Sequence, residues 1–422
     1  MRRGIAFTIG RIPVLAAVVL LWGFTATPAP AFYKWQGENG QIDLRGFLQT
    51  FGAFTVNPED ESFYSHDTDV SGGEVGRLLV LAKRGDHVAF EFNGFQTYTT
   101  TTGTLAGLQN APLIFPQRSA ALEWNPIQET DRDARLGVDW MNLRLSSKRV
   151  DMTLGRQPIN LATVFYFTPN DFFAPFAPQA FFRIYKPGVD AARAEIRLGG
   201  LSQLSLIDVL GYKPDPSTAN GWSREPSLDR SSVLARVSTS ISNFEWGLLG
   251  GRVYDRSIVG GSLQGELAGW LGIRAEGHYA AAAPGGLDSL TKVAVDLEHR
   301  FENSLTVRLE PYYNSSGYGY GQQVNTSIQT GPLQSMFGAK AYTALDFGYE
   351  FSPLLSGEIL SIANWIDPSY LISFYSVYSL SNEAEFSLGL SLPIGTGPRN
   401  GEVKSEFGLL PASVSAELRY YF

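Results

Sequence analysis

The stretch that decides the fold runs from Leu290 to Tyr313 and reads LTKVAVDLEHRFENSLTVRLEPYY. Apolar side chains occupy every second position on both sides of Glu302-Asn303: Val293, Val295, Leu297, Leu305, Val307 and Leu309. Successive side chains of a strand point to opposite faces, so this alternation predicts two strands, each with one apolar and one charged face. The short interruption between them predicts a tight hairpin turn.

The same pattern recurs along the chain after residue 31 and predicts eighteen strands. They lie near 41–55, 75–84, 87–99, 135–147, 150–162, 188–198, 201–212, 231–241, 244–255, 261–268, 271–280, 290–301, 304–314, 340–351, 355–365, 369–380, 383–392 and 412–422. Every second connection has two or three residues, as at Gly85-Asp86, Gly199-Gly200 and Ser242-Asn243, whereas most of the others are long. Short turns at one end, long loops at the other and an even strand count are typical of a transmembrane β-barrel.

We therefore predict an all-β fold, an up-and-down antiparallel transmembrane barrel of 18 strands with short periplasmic turns and long extracellular loops. A barrel of 16 strands is the alternative. A soluble barrel or sandwich would bury its apolar face in a two-sheet core and would not explain charges that repeat on the opposite face of strand after strand. Lipid outside and water inside explain both faces. Closure also removes unpaired strand edges, which hydrocarbon would not tolerate.

The first 31 residues have the pattern of a cleaved signal peptide. Arg2, Arg3 and Arg11 precede an uncharged apolar run from Ile12 to Phe24, and Ala-x-Ala follows at 29–31. A basic start, a short apolar run and small residues before the cleavage point describe a secretory signal. The precursor is therefore predicted to consist of a cleaved signal peptide, 1–31, and a single transmembrane barrel domain, 32–422.

Composition excludes several classes of function. Without the three arginines of the signal peptide, 41 acidic residues stand against 30 basic ones, a formal charge of −11, which argues against nucleic acid as a partner. The chain has no cysteine, so disulfides, thiol catalysis and covalent c-type haem attachment are excluded. Four histidines occur, none in a recognisable nucleophile, zinc or phosphate-binding motif. We predict no catalytic residues, no metal site, no cofactor and no enzymatic activity.

The end of the chain, SVSAELRYYF at 413–422, resembles the C-terminal signal of Gram-negative outer-membrane proteins. Val414, Leu418, Tyr420 and Phe422 occupy the positions of that pattern, and the resemblance implies recognition by the barrel-assembly machinery. The layout is similar to large porins and alginate-export-like channels. LGRQPINLATVF at 154–165, TPNDFF at 168–173 and KPGVDAARAEI at 186–196 resemble stretches of porin-like barrels. The resemblance implies an integral multi-pass protein of the outer membrane, in contact with outer-membrane lipid and lipopolysaccharide.

An eighteen-stranded barrel of this type encloses an aqueous interior, and its polar faces supply candidate channel-lining residues. These are Arg193, Glu195, Arg197, Arg274, Glu276, Lys292, Asp296, Glu298, Arg300, Arg308 and Glu310. Neighbouring strands set opposite charges side by side. Two interpretations stay open: the charges create a transverse field that orients polar solutes, or they brace and hydrate the wall.

The loop 163–187 is unusually apolar, with seven phenylalanines, two tyrosines and four prolines. Aromatic side chains need burial, so one hypothesis folds this loop inward to narrow the lumen, with Asn170, Asp171 and Arg183 at the constriction. The alternative is an extracellular lid that packs on its neighbours, or a contact between protomers.

The function indicated is a porin-like channel for passive or weakly selective diffusion of small polar solutes or ions. The small acidic excess predicts at most a weak cation preference. An alternative is a barrel sheath around a periplasmic or extracellular partner, such as a multihaem cytochrome, and an outer-membrane enzyme is a further one. Both a homotrimer and a monomer stay open.

Overall fold

A computed structural model describes residues 33–103, 116–180, 185–283, 288–324 and 337–422. The signal-peptide prediction for 1–31 and Arg183 therefore lie outside the described residues. Strands account for most of the described chain. Their bounds are β1 Tyr33–Gln36, β2 Gly40–Val56, β3 Thr68–Arg84, β4 Val88–Thr101, β5 Glu123–Gln128, β6 Arg132–Ser146, β7 Val150–Gln157, β8 Val189–Gly199, β9 Ser202–Val209, β10 Tyr212–Pro214, β11 Trp222–Pro226, β12 Ser232–Ile241, β13 Phe244–Val253, β14 Arg256–Leu267, β15 Leu271–Ala280, β16 Leu290–Arg300, β17 Thr306–Asn314, β18 Ala341–Ser352, β19 Leu355–Asn364, β20 Ser369–Ser379, β21 Ala384–Ile394 and β22 Ala412–Tyr421.

Eighteen of these strands pair in chain order and close into one antiparallel barrel. The wall consists of β2, β3, β4, β6 to β9 and β12 to β22, and β22 pairs with β2 to close it. The prediction of an 18-stranded up-and-down barrel is confirmed, and the alternative of 16 strands is wrong. Four shorter strands were not predicted: β1 pairs with β2, β5 with β6, and β10 with β11.

Three short 3-10 helices occur in the described chain, at Ala120–Leu122, Leu228–Arg230 and Phe407–Leu409. None of the helices in the described ranges is long and apolar enough to cross a bilayer.

The two faces of the wall have the polarity that the sequence predicts. On β12 the outward side chains of Val233 and Val237 are 59% and 43% exposed, while the inward Leu234 is 2% exposed. Exposed aliphatic and aromatic side chains recur at alternate positions of most other strands. In a closed transmembrane β-barrel, an apolar band on the outer surface faces lipid, so this belt is the lipid-facing side of the barrel.

The turns at one end use the residues that tight hairpins require. Ser242 and Asn243 join β12 to β13 with φ of 52° and 67°, and both φ values lie in the left-handed region. Two consecutive positive φ values are the mark of a type I′ turn, whose twist matches that of the flanking strands.

The barrel seam joins β2 to two separate pieces of chain. Residues Phe47–Val56 of β2 pair with β22, while Gln41–Leu44 of β2 pair with β1. Between them, Gly46 and Phe422 exchange both backbone hydrogen bonds, at 2.8 and 3.0 Å. One edge of the seventeen-residue β2 is therefore covered almost throughout, which leaves little unpaired backbone to face lipid.

The strand near 150–162 ends earlier than the sequence indicated, at Gln157. The apolar residues Ile159 and Leu161 continue beyond it, but Pro158 has no backbone N–H to donate to a ladder. From Pro158 the chain leaves the wall. Ile159 and Leu161 pack instead into a buried cluster with inward residues of β8 to β16.

Candidate functional site: a segment that crosses to the opposite wall

The connection from β7 to β8, residues 158–188, is called the inner segment here. β7 and β8 are neighbours in the wall, yet the inner segment contacts strands far around the barrel. Tyr166 donates its hydroxyl to Glu358 on β19 at 3.1 Å. In the closed order of eighteen strands, β19 stands about halfway round from β7. The inner segment therefore runs across the interior side of the barrel.

Two wall carboxylates receive backbone N–H groups of the inner segment. Glu310 on β17 accepts from Phe165 at 2.9 Å, from Tyr166 at 2.9 and 3.0 Å, and from Phe167. Glu276 on β15 accepts from Thr163, from Val164 at 3.2 Å and from Asn170 at 2.8 Å. Glu310 is 0% and Glu276 3% exposed, so both carboxylates are buried beneath the segment.

The aromatic side chains of the segment pack on an apolar part of the inner wall. Phe167 stacks on Tyr312 of β17 with ring centroids 4.8 Å apart. Phe172 meets His278 of β15 edge-on at 5.1 Å, and Phe173 meets Tyr254 at 6.1 Å. Two buried clusters result, which join the segment to inward residues of β8 to β20. Burial of these rings stabilises the segment against the wall, since each large aromatic side chain contributes a large apolar area.

The part of the inner segment from Asn170 back to β8, called the returning limb, is held by polar contacts as well. The side chain of Asn170 donates to the carbonyl of Gly261 at 3.1 Å and lies 3.3 Å from Nδ1 of His278. Asp171 forms an ion pair with Lys186, which also donates to Ala174 O at 2.6 Å.

Tyr185 brings the limb back against the first strands of the barrel. Its ring stacks on Phe47 of β2 at 5.3 Å and lies under Arg77 of β3 at 5.1 Å. The inner segment therefore touches both sides of the barrel.

A solvent recess of about 480 Å³ remains along β4, β6, β7 and β8. It extends from the short turns at Asp86 and Ser147 to Pro158, where the inner segment begins. Three arginines and four carboxylates line it, with amide and hydroxyl side chains between them. Arg144 and Arg193 both pair in register with Thr153 of β7, so the two cations flank one small hydroxyl side chain.

No protein-family model and no curated protein matches the chain. Solved structures do. OccK7 (OpdD) of Pseudomonas aeruginosa has a TM-score of 0.55 and 12% identity, over 92% of this chain and 99% of that chain. OccAB4 of Acinetobacter baumannii has a TM-score of 0.55 and 9% identity, over 93% and 100%. The outer membrane protein OpdK of Pseudomonas aeruginosa has a TM-score of 0.53 and 10% identity, over 91% and 99%.

The chain has the fold of a Gram-negative outer-membrane porin. At these identities the likeness concerns the fold, and it agrees with the closed barrel and its apolar outer belt. The predictions of an outer-membrane location and of a porin-like barrel are confirmed. The absence of enzymatic activity stays a prediction.

All eleven candidate lining residues of this porin-type barrel lie at inward positions of their strands, but they differ in access to water. Glu276, Lys292, Asp296 and Glu310 are buried, and the other seven are partly or fully exposed: Arg193, Glu195, Arg197, Arg274, Glu298, Arg300 and Arg308. Asn170 and Asp171 are also buried, at 0% and 7% exposed. Their contacts hold the inner segment together. The part that each plays in permeation stays a prediction.

Cross-strand ion pairs join several of the lining candidates. Arg274 donates to Asp296 at 2.6 Å, and Arg308 lies 3.4 Å from the same carboxylate. Arg308 also forms an ion pair with Glu298. Within a single strand, β8, Arg193 forms an ion pair with Glu195. Compensated pairs of this kind fit the interpretation that the charges brace the wall.

Sequence reasoning missed a buried charge network at the mouth of the porin fold. Arg156 donates to Asp190 at 2.8 Å, to Val138 O at 3.0 Å and to Ser119 O at 2.8 Å. Its neighbour Arg118 donates to Asp139 at 2.7 Å. A β-bulge opposite Asn93 and Gly94 leaves Asp139 without a ladder partner, and its side chain lies inward, 2% exposed. Bulges re-aim side chains in this way, and no residue pattern signalled one here.

A second cluster that the sequence did not predict is a set of hydrogen bonds that holds the connection between β21 and β22 in place. Glu406 accepts hydrogen bonds from Asn364 at 2.8 Å, from the backbone of Gly338 at 2.7 Å and from the hydroxyl of Tyr342. Burial raises the pKa of Glu406 to about 7, and the nearby Asp367 carboxylate acts in the same direction. The hydrogen bonds oppose this shift of the pKa without cancelling it.

Proposed function

We propose that this porin-fold barrel is a passive diffusion channel for small polar solutes or ions, narrowed by the inner segment. The observation that carries the proposal is the crossing itself. A segment of thirty-one residues leaves β7, bonds to β15, β17 and β19, and returns to β8. Such a segment occupies part of a lumen that eighteen strands would otherwise leave wide.

The open path that remains runs, in this proposal, along the recess of β4, β6, β7 and β8. Solutes there meet Arg144, Arg193 and Arg197 together with four carboxylates, a nearly balanced set of charges. The partly exposed members of the lining set, such as Arg274 and Glu298, contribute on the opposite side of the barrel. A balanced lining favours weak selectivity between cations and anions rather than a strong preference for either sign.

The sheath for a multihaem cytochrome or another threaded partner gains no support from these contacts. A polypeptide that passed through the lumen would have to displace the hydrogen bonds of Glu276, Glu310 and Glu358 with the inner segment. Contacts with lipopolysaccharide, recognition of Val414, Leu418, Tyr420 and Phe422 by the assembly machinery, and a homotrimer remain predictions. Crosslinking in native membranes would test the trimer.

Planar-bilayer recording of the purified protein tests the proposal. We expect discrete conductance steps, a small reversal potential in a salt gradient, and larger steps after deletion of 168–180. A shorter control deletion in the partly exposed stretch 216–219, between β10 and β11, should leave the step size unchanged. Absence of steps would contradict the channel, and equal steps with and without 168–180 would contradict the narrowing.

A further inference from the structure

The two buried carboxylates under the inner segment bind different parts of it. The part of the segment that leads away from β7, before Asn170, is called the outgoing limb. Glu310 accepts hydrogen bonds from three consecutive N–H groups of this limb, from Phe165 to Phe167, and both of its carboxylate oxygens act as acceptors. Glu276 uses one oxygen for Thr163 and Val164 on the outgoing limb and the other for Asn170 on the returning limb. Glu310 therefore fixes the outgoing limb, while Glu276 ties the two limbs to each other and to β15.

We infer that Glu276 and Glu310, called the carboxylate clasp here, are positioning residues that set the width of the pore. The inference rests on the proposed function, because it assumes that the inner segment narrows a conducting lumen. The clasp itself does not bind the permeating solute. Its two carboxylates determine how far the segment stands from the wall, and so how much of the lumen stays open.

A carboxylate suits this task for a chemical reason. Backbone N–H groups of an irregular segment have no ladder partner, and a buried N–H without an acceptor costs about 1–3 kcal/mol. A carboxylate carries acceptors only, on two oxygens, so one side chain satisfies three such donors. Glutamine has the same size, but its amide would turn two further donors toward the N–H groups of the segment. Glu→Gln therefore replaces one of the two acceptor oxygens with a donor group while it preserves the volume of the side chain.

Aromatic packing alone would leave the segment less precisely placed. Phe167, Phe172 and Phe173 bury apolar area, which is non-directional. The hydrogen bonds of the clasp fix six particular backbone positions between Thr163 and Asn170. We therefore expect a loosened but still apolar-bound segment when one member of the clasp is changed.

The test compares Glu276→Gln and Glu310→Gln with Glu385→Gln in planar bilayers. Glu385 is an inward carboxylate of β21 that bonds to Arg419 and Tyr421, so its substitution makes the same change of charge without touching the clasp. We expect larger, noisier single-channel currents and passage of larger neutral polymers for both clasp variants, and wild-type values for Glu385→Gln. Clasp variants that match Glu385→Gln in current and polymer exclusion would overturn the inference.

Hydrogen exchange keeps the inference testable if a clasp variant inserts poorly into bilayers. Loss of a charge-assisted hydrogen bond should speed exchange of the freed amides by about tenfold or more. For Glu310→Gln this applies to amides 165–167, and for Glu276→Gln to amides 163, 164 and 170, with strand amides unchanged. Unaltered exchange at these amides would also overturn it. Absence of channels in the wild type would instead count against the proposed function, and wild-type channels that widen only on deletion of 168–180 would count against the clasp alone.

Discussion

The guanidinium carbon of Arg308 on β17 lies 3.7 Å from the centre of the Phe165 ring in the inner segment. Arg308 is at the same time paired with Glu298 and close to Asp296, so its orientation is fixed from the wall side. A desolvated cation over an aromatic face stabilises by about 1–2 kcal/mol. This contact therefore adds to the hydrogen bonds that hold the outgoing limb.

We expect Phe165→Leu to loosen the inner segment without unfolding the barrel. Leucine keeps apolar volume but offers no ring face to Arg308. A loss of about 1–2 kcal/mol corresponds to roughly 5- to 30-fold more frequent local opening, measurable as faster proteolysis within 163–173. Phe90→Leu is the matched control, because Phe90 and Phe165 are both 39% exposed but Phe90 faces outward on β4. Equal proteolysis rates for the two variants would argue against the contact.

Arg156 is the second site where one substitution should have a large effect. Arg156→Met removes the partner of the Asp190 carboxylate and leaves two carbonyl oxygens without their donor. Breaking a buried ion pair from one side costs about 3–5 kcal/mol of unfolding free energy. Arg132→Met breaks a pair whose side chains are about half exposed, and should cost about 0–1 kcal/mol. Urea unfolding in detergent micelles measures the loss of unfolding free energy for both variants. Similar losses for Arg156→Met and Arg132→Met would contradict a large contribution from the buried Arg156 ion pair.

The pH dependence of the connection between β21 and β22 follows from the raised pKa of Glu406. Below about pH 4.5, Glu406 is protonated in the folded and the unfolded chain, and its contribution to stability is fully present. Above that pH the unfolded chain loses the proton first, so stability falls until about pH 7 and then levels off. The size of the fall is about 3 kcal/mol at most, from 1.36 kcal/mol per pKa unit.

Hydrogen exchange of amides 405–410 between pH 4.5 and 8, corrected for intrinsic rates, measures this dependence. Glu406→Gln should remove it because glutamine does not titrate. Glu402→Gln, an exposed change in the same connection, should leave it intact. Protection that increases from pH 4.5 to pH 7 in the wild type would have the opposite sign to the one expected.

Gly46 is the position at the seam that tolerates no side chain. A Cβ there would lie 2.3 Å from the carbonyl of Arg77 and 2.6 Å from the ring of Phe422. We expect Gly46→Ala to cost about 1–3 kcal/mol and to lower the yield of folded barrel in the outer membrane. Gly52→Ala on the same strand is the control, since its Cβ would meet no atom closer than 3.9 Å. The folded fraction on unheated SDS gels reads out both, and equal fractions would contradict the clash.

Strand number and order could be predicted because lipid and water impose a period of two on every strand. The alternation in β16 and β17, for example, places Val293 and Leu309 outward and Lys292 and Arg308 inward. Tight turns such as Ser242-Asn243 then fix which strands are neighbours. Both signals are local, so a single sequence carries them.

The inward apolar patches were not predicted, although the chain contains their signal. Ile359-Leu360 on β19 and Leu206-Ile207 on β9 are consecutive apolar residues, so both faces of those strands are apolar there. Leu360 and Ile207 are buried under loops, at 1% and 3% exposed. The clasp partners, in contrast, lie more than a hundred residues apart, as Glu276 and Asn170 do, and no local pattern relates them.

Adjacent residues on β12 offer the most direct test of a lipid-facing outside and a water-filled inside. Arg236 lies inward, with its guanidinium 3.3 Å from Ser262, while Val237 faces outward and is 43% exposed. The chain has no cysteine, so single cysteine variants need no background correction. In intact outer membranes, a charged thiol reagent should label Arg236→Cys and leave Val237→Cys unlabelled. Labelling of Val237→Cys with protection of Arg236→Cys would contradict the barrel and the channel within it.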